Sequence, residues 1–284
     1  MPSRIFQPGL LEGQVAIVSG GGSGLGRAAA LELAALGARV MVCGRREQPL
    51  RETAERAEGG RVEASVCDIR EEGKVDALVD GTLERHGHID LLVNNAGGQF
   101  LTPAEDITAK GFRTVLRLNV EGTWLMSHTV ATRAMMGGAG EEPRGGKIVN
   151  VTLSPHHGLP GMAHSSAARA AVENLTRVLS IEWARFGIRL TAVAAGHFAT
   201  DTLMSKYPKA VVEGVAGTVP LGRLGSEEEF AWLVAFLAGP GGDYFSGAVL
   251  TLDGARDNWF GAWPPAGLAD SAGKPLAEQR EPRR

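Results

Sequence analysis

Short apolar runs recur along this chain, each followed by a stretch whose apolar residues return with helical spacing. Runs at 15–18, 39–43, 62–66, 89–93, 147–151, 189–193 and 248–252 predict strands. Helices are expected near 24–36, 49–58, 71–86, 111–136, 164–186 and 227–237. This alternation argues for an α/β fold, a single doubly wound parallel sheet with helices on both faces. The runs are nearly all apolar, which suits strands covered on both sides. The pattern continues to about Gly254, so residues 1–254 are expected to form one domain and 255–284 an extension. Trp259, Phe260 and Trp263 are too apolar for a free tail and are expected to pack on this subunit or a neighbour. The polar end, 273–284, is expected to be disordered.

Ligands of such a sheet bind at the carboxyl ends of its strands, and the chemically distinctive residues collect there. The first run leads through Ser19-Gly20-Gly21-Gly22-Ser23-Gly24-Leu25-Gly26 into a predicted helix. Glycines let the backbone approach a pyrophosphate, and the helix start offers unpaired N–H groups at a positive dipole end. Any tight strand-to-helix turn also wants glycine, so this loop does not decide alone. The second run leads into Gly44-Arg45-Arg46. An acidic residue here would select the ribose 2′-hydroxyl of NAD, whereas two guanidinium groups suit the 2′-phosphate of NADPH, or simply form a solvated basic turn. The third and fourth runs lead into Asp68-Ile69 and Asn94-Asn95-Ala96-Gly97.

Composition narrows the partners. The 284 residues are 44% hydrophobic and 21% charged, with a net charge of -3, which argues against nucleic acid or an anionic membrane surface as partner. The two cysteines, Cys43 and Cys67, lack metal-ligand spacing and read as buried thiols of a protein in a reducing cytosol, with no metal expected. The start, Met1-Pro2-Ser3-Arg4, lacks an apolar signal segment, and no run is of bilayer-spanning length, so a cytoplasmic location is expected.

Taken together these motifs resemble the short-chain dehydrogenase/reductase family over about residues 10–254, and so imply a Rossmann fold. Ser19, Gly20, Ser23, Gly24, Leu25 and Gly26 stand in the family's glycine motif, and Asp68 with Ile69 at its adenine contact. Asn95, Ala96 and Gly97 lie in the segment flanking the cofactor, Asn119 is at the active-site asparagine, and Ala195-Gly196 with Thr200 matches the segment near the nicotinamide. The resemblance implies a tetramer built through the 111–136 and 164–186 helices.

The catalytic pair departs from the family. Its tyrosine and lysine, four residues apart, fall on Ser165 and Arg169, and neither Tyr207 nor Tyr244 has a basic residue four positions on. Thr152 and Ser154 bracket the place of the catalytic serine. Arg169 retains positive charge for the nicotinamide ribose but does not release its proton, and a serine hydroxyl is a weaker acid than a phenol. Ketone reduction produces an alkoxide and demands an acid at hand. Reduction of an enoyl thioester produces an enolate, which needs donors at its oxygen while water supplies the α-proton. The departure resembles the 2,4-dienoyl-CoA and peroxisomal trans-2-enoyl-CoA reductases, the latter more nearly, in residues 8–18, 93–105 and 164–170. That likeness implies NADPH-dependent reduction of an unsaturated acyl thioester. The end, Glu281-Pro282-Arg283-Arg284, is not a Ser-Lys-Leu address, which counts against a peroxisomal location.

Two other readings stay open at this point: a 3-ketoacyl or 3-hydroxyacyl oxidoreductase with a rearranged proton donor, and a catalytically silent cofactor-binding protein. His156 or His157 are further candidates for a donor to a thioester carbonyl. Gln99, Phe100, Leu203 and Met204 are candidates to line an acyl channel.

Overall fold

The computed structural model describes residues 3–138, 140, 142–154, 156–206, 209–259 and 275. Seven parallel strands form one sheet, in the order β3-β2-β1-β4-β5-β6-β7. They are β1 (Val15–Ser19), β2 (Arg39–Gly44), β3 (Val62–Val66), β4 (Leu91–Asn94), β5 (Gly146–Leu153), β6 (Ile188–Ala195) and β7 (Val249–Leu252). The chain winds outward from β1 in both directions, so a switch point opens between β1 and β4 at their carboxyl ends.

The sheet is covered on both faces because alternate residues of each central strand feed different cores. On one face Ala16, Val18, Leu91 and Val93 pack with Leu33 of α1 (Gly24–Ala35), Leu50 of α2 (Glu47–Arg56) and Phe230 and Val234 of α9 (Glu227–Ala238). On the other, Ile17, Leu92, Ile148 and Leu190 pack with Val75 and Val79 of α3 (Glu72–His86), Met126 of α5 (Gly122–Val130) and Leu179 of α6 (Ala163–Glu182). Cys43 and Cys67 are both free and buried, as their apolar setting suggests.

Three differences from the pattern matter for the site. First, β5 and β6 run two residues further than their apolar runs predict, with Thr152 opposite Ala194 and Leu153 opposite Ala195. Small buried side chains there permit the ladder to continue, and it carries Thr152 and Gly196 to the sheet's rim. Second, the expected helix at 111–136 begins earlier, as α4 (Ala109–Leu116), and passes into α5 through a π turn at Arg117–Glu121 that contains Asn119, with another at Ala131–Met135. Such turns mark places where a side chain replaces regular helix bonding, often at functional sites. Third, two helices, α7 (Asp201–Lys206) and α8 (Lys209–Gly217), follow Thr200 where the periodicity marks none. Trp259 is described, whereas Phe260, Trp263 and 273–284, Pro275 aside, lie outside the described residues. Among the described residues no helix is long and apolar enough to cross a membrane.

Candidate active site

Ser19 ends β1 and ties it to the next crossover. Its Oγ accepts from the N–H groups of Asn95 (3.1 Å) and Ala96 (3.0 Å), and Asn95 Nδ2 donates back to Ser19 O (3.1 Å). This closes the β1 and β4 ends side by side. The glycines between them are required by contact: a Cβ on Gly26 would lie 2.4 Å from Asn95 Nδ2 and from Gly20 O, and one on Gly21 2.6 Å from Val42 Cγ1. Gly24 starts α1 at φ +53°, and Ser23 at the cap makes no side-chain bond to the helix. The first amides of α1 are therefore left for a ligand.

Around this turn stand the other expected cofactor residues. Asp68, after β3, holds Arg70, whose guanidinium brings the Asp68 carboxyl down to about 2, with Arg45 contributing. A depressed carboxylate stabilises the fold above its ordinary range and loses that contribution as pH falls toward 2. Asp68→Asn should therefore flatten the fall in stability between about pH 4 and pH 2, as measured by urea unfolding across that range; an unchanged acid limb would remove the ion pair from the account. Arg45 and Arg46 are exposed at the end of β2. Ile69 lies against Gly122, Gly196 backs onto Asp253, and Thr200 approaches the start of α1 beside Gly24.

Three further residues meet at one point. An added Cβ on Gly97 would lie 2.3 Å from Arg169 Nη2 and 2.7 Å from Asn119 Oδ1. Buried Asn119 accepts from Gly98 N (3.2 Å) and donates to Gly98 O and Val115 O (2.8 Å each), so the π turn clamps the chain after β4. Arg169 Nη1 donates to Val151 O at 2.7 Å, whereas its buried Nε has no partner among the described residues. Burial lowers the Arg169 pKa to about 10, so it stays cationic at neutral pH. Behind them a polar ladder crosses the sheet into α6: Asn94 Nδ2 to Asn150 Oδ1 (2.9 Å), and Asn150 Nδ2 to Thr176 Oγ1 (2.9 Å). Free amides at a helix start, a cation with an unsatisfied N–H and glycine-lined backbone fit an anionic dinucleotide.

The hydroxyls the sequence singles out are drawn elsewhere. Thr152 Oγ1 donates to Glu173 Oε1 (3.0 Å), and Ser154 Oγ donates to Asp253 Oδ2. His156 lies between two carboxylates, Nε2 at 3.1 Å from Glu173 and Nδ1 against Asp257. Burial opposes its charge, but these two partners prevail and raise its pKa. His157 also faces Asp257, at 3.5 Å. Ser165 is buried on α6, with Oγ 3.4 Å from Gln99 Oε1. Sequence reasoning missed Glu173, Asp253 and Asp257. Glu173 follows Arg169 by one helical turn and so shares its face, a signal that was available. Asp257 lies in the expected extension, and nothing local marks its return to the β5 loop. Leu203 and Met204 lie on α7, with Met204 largely exposed. A separate groove of 690 Å³ between α1 and α9, lined by Arg27, Arg61 and Trp232 among others, includes none of the catalytic candidates.

Comparison with known proteins places the chain in a family. Residues 20–255 match the family model described as enoyl-(acyl carrier protein) reductase. The chain is 34% identical, over 89% of its length and 100% of the relative's, to a probable 2,4-dienoyl-CoA reductase of Bacillus subtilis. It is 33% identical to the peroxisomal 2,4-dienoyl-CoA reductase of Arabidopsis thaliana, over 98% of this chain and 94% of that one. Among solved structures, the citronellol catabolism dehydrogenase AtuB of Pseudomonas aeruginosa PAO1 superposes with a TM-score of 0.79 at 44% identity, covering 89% of this chain and 98% of that one. A short chain dehydrogenase of Bacillus anthracis gives 0.78 at 32% identity, covering 88% and 98%. The chain belongs to the short-chain dehydrogenase/reductase family and is an oxidoreductase.

Proposed function

We propose that this protein is an NADPH-dependent reductase of the C=C bond of an enoyl or dienoyl thioester, such as a trans-2-enoyl-CoA. The observation that carries the reading is the pair on α6: Arg169 beside Gly97, and Ser165 where a phenol would stand. When bound, the reduced nicotinamide supplies a hydride. The chain's own part is to hold the dinucleotide on the α1 amides, set Arg169 at its ribose and offer hydrogen bonds to the acyl carbonyl. An enolate is stabilised by delocalisation and such donors; an alkoxide needs a proton, which arginine does not deliver. The dienoyl-CoA reductases among the relatives support the same chemistry.

The match to a dehydrogenase of citronellol catabolism favours a second reading, interconversion of an alcohol and a carbonyl compound. Cofactor oxidation measured with crotonyl-CoA, a 2,4-dienoyl-CoA and acetoacetyl-CoA, alongside cofactor reduction with a terpenoid alcohol, separates the two. The expected result is C=C reduction much faster than ketone reduction or alcohol oxidation. Faster turnover of the ketone or the alcohol would promote the second reading.

The coenzyme choice is assigned to Arg45, with Arg46 assisting. A hydrogen bond to a charged group contributes about 1.5–3 kcal/mol, so Arg45→Ala should weaken NADPH about 10- to 100-fold and barely alter NADH. Titration of both coenzymes against both proteins decides this; equal losses would refute it. Phe112, Trp124, Val178 and Ile181 are exposed on the 109–135 helix and α6, which supports association of copies, as a homotetramer, through these helices.

A further inference from the structure

Reduction of an enoyl thioester places negative charge on the carbonyl oxygen, so the site needs a donor aimed at that atom. Most donors expected there already give their protons away. Thr152 bonds to Glu173, Ser154 to Asp253, and both ring nitrogens of His156 face carboxylates. The hydroxyl of Ser165 points to Gln99 Oε1 at 3.4 Å, a long bond to an oxygen that is already present.

His164 is different. It is fully buried in the first turn of α6, next to Ser165 and five residues before Arg169. Its Nδ1 accepts the Ser165 N–H at 2.8 Å. That bond fixes the ring and assigns the lone pair to Nδ1 and the proton to Nε2. Nε2 is buried and has no hydrogen-bond partner among the described residues. The ring lies edge-on to Phe100, with centroids 4.3 Å apart. Phe100 belongs to the loop that follows Gly97 and Gly98 and is 41% exposed. An oriented donor thus lies against the ring of Phe100, on the helix that carries Arg169.

We propose that His164 is a catalytic hydrogen-bond donor, its Nε2–H binding the carbonyl oxygen of the acyl thioester and the enolate oxygen that develops from it, with Phe100 giving way to the acyl group. This rests on the enoyl-reductase reading. The hydride forms the new C–H bond at the β-carbon. The π pair between the α- and β-carbons moves toward the carbonyl carbon, and the carbonyl π pair moves onto oxygen. The electrons then return, and the α-carbon takes a proton from water. The imidazole donates a hydrogen bond and transfers no proton. Ser165 contributes its backbone N–H, which survives replacement of its side chain.

The test compares wild type with His164→Leu, which removes the donor, and His164→Gln, which keeps an N–H. With crotonyl-CoA, His164→Leu should lower kcat about 100- to 1,000-fold with little change in KM, and His164→Gln should recover part of the loss. NADPH binding, measured by fluorescence titration, should be the same for all three. A readout without turnover uses acetoacetyl-CoA with NADP+: wild type should raise the enolate absorbance of the bound ligand, and His164→Leu should not. Unchanged kcat and enolate band in His164→Leu would overturn the assignment while enoyl reduction stands. If His164→Leu does not fold, a wild type without the enolate band overturns it equally. A wild type that binds NADPH but reduces no enoyl thioester overturns both this inference and the reading beneath it.

Discussion

Gly97→Ala should lower turnover about 100-fold, because displacement of a positioning group by about an ångström is enough for such a loss. The added methyl would lie 2.3 Å from Arg169 Nη2 and 2.7 Å from Asn119 Oδ1. Neither approach is tolerable, and the arginine, a long side chain, is the group that can move. The fold should survive, since Gly97 is not at a positive φ and the contact is with side-chain ends. Gly98→Ala is the internal comparison. Its Cβ would meet only Leu118 Cδ2, at 3.1 Å, which a small rotation relieves. Steady-state kinetics and cofactor titration of both variants provide the check: a large loss for Gly97→Ala beside a small one for Gly98→Ala is expected, and equal behaviour would remove Arg169 from the site.

Asn119→Ala should destabilise the protein by about 1–3 kcal/mol, the cost of one buried polar group left without a partner, since the Val115 bond is buried and the two Gly98 bonds are partly buried. The lost carboxamide satisfies Gly98 N–H, Gly98 C=O and Val115 C=O at once. Without it the segment from Gly97 to Phe100 loses its anchor to the 109–135 helix, and catalysis should fall together with stability. Asn119→Asp is the sharper variant. It keeps the acceptor for Gly98 N–H but turns an oxygen toward two carbonyl oxygens, so it should be no milder than alanine. Urea unfolding and cofactor binding of both variants test this; an Asn119→Asp variant as stable as wild type would mean that the clamp is not what holds the loop. This effect is distinct from that of Ser165→Ala, which removes only a 3.4 Å contact and should change little.

The sheet and its order of elements were legible in the chain because burial on both faces writes itself as repeated apolar runs. Local chemistry also marked the glycine turn, Arg45 and Asp68, since each lies at the end of a strand, whereas Asn119, Ser165 and Arg169 were marked only by the resemblance to the family. Element ends were less legible. Nothing in the run 147–151 told that β5 would continue to Leu153, because that extension depends on the small residues of β6 beside it. The π turn around Asn119 was likewise hidden, for its bonding is completed by Gly98, 21 residues away.

What the sequence by itself determined is the doubly wound fold and the absence of the phenol–lysine pair, together with the expectation that a ligand binds at the strand ends. What only the tertiary structure decided is which polar groups are still available at that place. Hydrogen bonding is a matter of partners, and the partners come from distant segments: Glu173 takes Thr152, Asp253 takes Ser154, and Asp257, from beyond the last strand, takes His156. From composition and spacing all of these donors look alike. Once the chain is folded, pairing between remote residues leaves His164 Nε2 and Arg169 Nε, on α6, buried without partners among the described residues.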